Sequence, residues 1–74
     1  MPRALLRKLV DCPTFQESMV ILDVLKQAAI PAERHWHVEH DAGDFYRILV
    51  PLPYLKAAIQ TLQKALEESK SHAG

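Results

Sequence analysis

From Arg34 to Glu39 the polarity of the chain alternates residue by residue, and on both sides of this stretch it changes to the period of a helix. Arg34, Trp36 and Val38 fall on one face of an extended segment, and His35, His37 and Glu39 on the other. The turn Asp41-Ala42-Gly43-Asp44 comes next, and then Phe45 to Val50, rich in β-branched and aromatic residues. The pattern predicts a β-hairpin in which Gly43 supplies a positive φ. A hairpin alone is marginal in water, so the flanking segments must cover one of its faces.

Those segments are amphipathic. Leu55, Ala58, Ile59, Leu62, Ala65 and Leu66 recur at helical spacing, with Lys56, Gln60, Gln63, Lys64 and Glu67 between them. Pro53 suits the first turn of this helix, and Pro51 holds the chain extended before it. Residues 1–68 read as one domain, and Ser69 to Gly74, without periodicity, as a fraying tail. The other helix follows Pro13, where Thr14 and Glu17 have capping-box spacing, and runs to about Ala29 before Pro31. Its apolar arc takes in Phe15, Ile21, Leu22, Val24, Leu25, Ala28 and Ala29, and Val20 falls outside it. One sheet face needs less than this. Either the margin is incidental, or Val20 and Val24 pack against a second subunit.

The opening segment, Arg3 to Val10, fits a short helix through Leu5, Leu6, Leu9 and Val10, or a strand through Ala4, Leu6 and Val10 interrupted by Lys8. A strand is preferred, because a third strand completes the sheet. The expected fold is α+β: a ferredoxin-like βαββα domain, three strands with two helices on one face and a right-handed crossover between the first two strands.

The phrase Leu25-Lys26-Gln27-Ala28-Ala29-Ile30-Pro31-Ala32-Glu33, a hairpin, a strand closing on Leu49-Val50-Pro51 and a further helix resemble a family of small prokaryotic signal-transducing domains of unknown function. These are related in shape to ferredoxin-like and nitrogen-regulatory-protein-like folds. The resemblance spans residues 3–68 and implies a βαββα domain, a statement about fold. It carries over no functional residues.

Composition narrows the function. The 74 residues hold one cysteine, so no internal disulfide can staple so small a domain, and a second chain or a metal is the expected support. Nine basic residues balance nine acidic ones, which argues against a basic nucleic-acid-binding face. That balance is a cancellation: residues 11–44 carry a net charge of −5, residues 1–10 of +3 and residues 45–74 of +2. No membrane span or signal peptide is apparent, and a cytoplasmic location is expected.

Chemistry concentrates in His35-Trp36-His37-Val38-Glu39-His40. On a strand, His35 and His37 project together with Glu39, and His40 can reach in from the turn, a set suited to a divalent transition metal. The plainer reading is an exposed polar face; a pH-sensitive interface is a third. Trp36 is expected either beneath the helices as core or as an aromatic anchor in an interface. Glu39 on the open face opposes phosphate. Cys12, before a helix N-terminus, has no base nearby in sequence and reads as an inert thiol. With no catalytic constellation and no glycine-rich phosphate loop, the expectation is a non-enzymatic module without an obligatory cofactor, acting as a homodimer.

Overall fold

A computed structural model describes residues 5–41 and 43–73, with side chains described as far as Glu68. The chain runs β1 (Leu6–Cys12), α1 (Phe15–Gln27), β2 (Glu33–Glu39), β3 (Gly43–Pro51), a 3₁₀ turn (Leu52–Tyr54) and α2 (Leu55–Ala73). The sheet order is β1-β3-β2 and both ladders are antiparallel. β1 and β2 therefore run parallel, joined by α1, with β3 between them. This is the ferredoxin-like α+β arrangement expected from the sequence. Among the described residues, no helix is long and apolar enough to cross a membrane.

The core lies between the helices and one sheet face. Ile48 and Val50 of β3, Cys12 of β1, Leu25 of α1, Ile30 and Ala58 of α2 are buried together. Residues opposite one another across an antiparallel ladder share a face. Ile48 and Tyr46 therefore carry Val10, Cys12, Arg34 and Trp36 to the helix side, while Arg47 and Phe45 carry Asp11, His35 and His37 to the open side.

β1 is a strand, but its alternation is not the one expected. A register shift between Lys8 and Val10 inserts Leu9, and both Leu9 and Val10 pack against the core. Leu6, opposite Pro51, falls outside that set, and Ala4 lies outside the described residues. The bulge explains why the segment also fits a helix: two consecutive apolar residues on one side fit neither simple period.

Both ends of α1 follow from local chemistry. Thr14, extended at φ −127°, accepts the Glu17 amide on its hydroxyl at 3.1 Å, one half of the anticipated capping box. At the other end Ile30 donates to the Leu25 carbonyl at 2.9 Å and Ala29 to that of Lys26 at 3.0 Å. These are the paired bonds of a Schellman motif, sealed by contact between buried Leu25 and Ile30. The motif requires a left-handed residue, and Ala29 holds it at φ 59°. Gly43 takes φ 78° at the start of β3, as the hairpin requires; Ala42 of the predicted turn lies outside the described residues.

α2 departs from expectation in two respects. Its backbone continues to Ala73, past the expected end at Ser69, since nothing in Lys70 to Ala73 breaks a helix. Of its apolar stripe only Ala58 is fully buried, whereas Ile59 and Leu66 are exposed.

An alanine in the left-handed conformation costs about 1 kcal/mol or more relative to glycine. Ala29→Gly is therefore expected to stabilise the domain by about 1 kcal/mol, a rise in melting temperature of roughly 4–8 °C for a chain of this size. Thermal denaturation followed by circular dichroism checks it; an unchanged or lower melting temperature would contradict the Schellman account.

Candidate functional site

β2 is an edge strand whose two faces meet different surroundings. On the helix side the first residue is Arg34, half-buried between sheet and α1. Its Nη1 donates to the Ser18 Oγ at 3.5 Å, and its guanidinium lies 4.1 Å from the centroid of the Phe15 ring. Ser18, wholly buried, in turn donates to the Phe15 carbonyl at 2.5 Å. Phe15 meets Tyr46 edge to face, with centroids 5.5 Å apart. The start of α1 is thus seated over the central strand and tied to the beginning of β2.

Trp36 and Val38 lie beyond this cover. Trp36 is opposite Tyr46 and on the helix side, as its parity demands, yet it is 64% exposed, and Val38 is 62% exposed. The expectation that Trp36 is core beneath the helices is overturned. The face was read correctly, but a helix seated on Tyr46 through Phe15 does not reach the far half of an edge strand. The two largest apolar side chains of β2 therefore stand in solvent.

On the open face, His37 stacks on Phe45 with centroids 5.1 Å apart and planes 8° from parallel, and Arg47 lies over the same ring at 5.4 Å. The His35 Nε2 is 3.2 Å from the Glu33 Oε1. Glu39 is opposite Gly43, and His40 is exposed beyond the strand. His35, His37 and Glu39 thus share the anticipated face, each in different company. No group of three or more His, Cys, Asp and Glu side chains is gathered as a metal ligand set among the described residues.

Arg47 also binds across the sheet. Its Nε donates to Asp11 Oδ1 at 2.9 Å and its Nη2 to Oδ2 at 3.3 Å, with Lys8 3.7 Å from the same carboxylate. Sequence reading missed this pair, which is 36 residues apart in the chain and becomes visible only with the β1–β3 register. The open face thus presents Lys8 and Arg47 against Asp11, Glu33 and Glu39, an acidic excess that does not favour phosphate.

Cys12 is buried, and burial is the main cause that pushes its thiol above the ordinary value, with Glu17 and Asp11 adding to it. A buried thiol among apolar neighbours lacks the exposed, electropositive setting that favours a thiolate. Val20, 60% exposed, and half-buried Val24 line an apolar groove of about 360 Å³ between α1 and α2, together with Leu62 and Leu66. Comparison with family models, with curated proteins and with solved structures finds no match for this chain.

The Arg47 hydrogen bonds hold the Asp11 carboxyl below its ordinary value, against an opposing effect of burial. A carboxylate depressed in the folded state favours folding above its unfolded pKa, and that contribution is lost as pH falls through the folded value. Asp11→Asn should therefore lower the melting temperature at pH 7 by a few degrees at most, because the pair is partly exposed and screened. The gap to the unsubstituted protein should close below the ordinary carboxylate range and shrink in high salt. Melts across a pH series test this; a gap that persisted in acid would remove the ion pair as its cause.

Proposed function

We propose that this chain is a small, non-enzymatic regulatory or protein-binding module of the prokaryotic cytoplasm that acts as a homodimer. The observation that carries the reading is the exposure of Trp36 and Val38, side by side on an edge strand. Large apolar residues clustered on a monomer surface mark an interaction site, and tryptophan is the commonest anchor of such sites. The small core gives a second reason, since six buried apolar residues among the described ones, in a domain without a disulfide, leave little margin of stability.

The alternative is a divalent-metal sensor or carrier built on His35 and His37. It has less support, because His35 is engaged with Glu33 and His37 with Phe45.

Light scattering on the purified chain should give a mass near twice 8.4 kDa, unchanged by zinc. A monomer at every accessible concentration would overturn the homodimer. A stoichiometric zinc, nickel or copper ion that raised the melting temperature, with the rise abolished in His37→Ala, would move the assignment to the metal reading.

A further inference from the structure

The sheet has two outer edges, and they are not equivalent. β1 carries a bulge between Lys8 and Val10 and a lysine at mid-strand, two devices that blunt an edge against pairing. β2 carries neither: its register with β3 runs without a shift from Glu33 to Glu39, and no strand lies beside its other edge among the described residues. Its middle, His35 to Val38, holds no lysine, aspartate, glutamate or proline.

We infer that β2 pairs antiparallel with β2 of a second copy about a two-fold axis at His37, joining two three-stranded sheets into one of six strands. This rests on the homodimer proposed above and names its seam. A two-fold axis normal to a sheet makes the meeting strands antiparallel, so only the register has to be found. Side chains must keep to their faces, which leaves axes at residues 35, 36 or 37 as the central choices.

Chemistry separates the three. An axis at Trp36 would set Glu33 opposite the partner's Glu39 twice, and like charges directly opposed are unfavourable. An axis at His35 would set Arg34, already engaged with Ser18 and Phe15, opposite the partner's Trp36 and leave Val38 opposite the partner's Ala32. An axis at His37 sets Trp36 opposite the partner's Val38 twice on the helix side. On the open side it sets His35 opposite the partner's Glu39 twice, a complementary pair. The four exposed apolar side chains cover one another where no helix does, and the Glu33–Arg34 end of each strand falls outside the paired segment.

Disulfide trapping reads the register. In a Cys12→Ala background, His37→Cys places two thiols across the axis, with Cβ atoms about 4.5–5.5 Å apart and within reach of a disulfide. His35→Cys places them four residues apart along the strands, about 13 Å, beyond reach. Mild oxidation should therefore bridge the first variant into a covalent dimer and leave the second unbridged. Because Cys12 is a core residue, a companion variant keeps it: Val38→Glu, at an exposed position, should retain the circular dichroism spectrum and weaken dimerisation in sedimentation at least about tenfold, by setting a charge among desolvated apolar groups. A dimer that survives Val38→Glu and is not trapped through His37→Cys would overturn the seam while sparing the homodimer, with Val20→Glu in the helical groove as the next place to look. Preferential bridging through His35→Cys would overturn the register. A monomeric unsubstituted chain would overturn seam and homodimer together.

Discussion

The burial of Ile48 and Val50 beneath Leu25 and Ala58 is the contact on which the rest of this fold depends. The central strand contributes two fully enclosed side chains, α1 one long side chain, and α2 an alanine small enough to let its backbone approach. Each fully buried aliphatic side chain of this kind is worth about 1.5–3 kcal/mol, against a net stability of order 5–15 kcal/mol for a whole domain. With so few of them, no single one is dispensable. The strands on either side are held by their hydrogen bonds to β3 and by what the helices cover.

Coverage is uneven, and it ends at Arg34. Arg34 stands opposite the buried Ile48, at a place where an apolar side chain would have joined the core. Arginine instead binds the buried Ser18 hydroxyl and lies on the Phe15 ring, which fastens the start of α1 to the strand without drying the space between them. α1 stays over Tyr46, and Trp36 and Val38 remain outside. Phe15 and Ser18, one turn apart on the same side of α1, thus decide how far the helical layer reaches.

Much of this was legible in the sequence, and the illegible parts share a cause. The helical period of α2, the Thr14 cap, the stop before Pro31 and the parity of His35 and His37 depend on neighbours within one element, and the structure bears each of them out; how much of the α2 stripe is covered does not, and Ile59 and Leu66 stand exposed. The bulge at Leu9, the Asp11–Arg47 pair and the exposure of Trp36 depend on how separate elements are aligned. Parity assigned Trp36 to the helix side correctly, but whether a helix stands above it is decided by Phe15, 21 positions away. Ala29 is a different case: glycine is the usual signal of a left-handed helix cap, and its absence hid a Schellman motif that the buried Leu25 and Ile30 were already suited to close.

The same reasoning ties the proposed interface to the weakness of the fold. β2 is bonded along one edge only and is covered at one end only, so it is the strand with the least to hold it and the first expected to open locally. Pairing its free edge over His35 to Glu39 would add backbone hydrogen bonds and enclose its two exposed apolar side chains in one step. The proposed seam would then lie within the strand of lowest intrinsic stability. A domain this small would gain most from a partner at the strand its own core leaves uncovered, and the bulge and lysine of β1 make β2 the better edge for one.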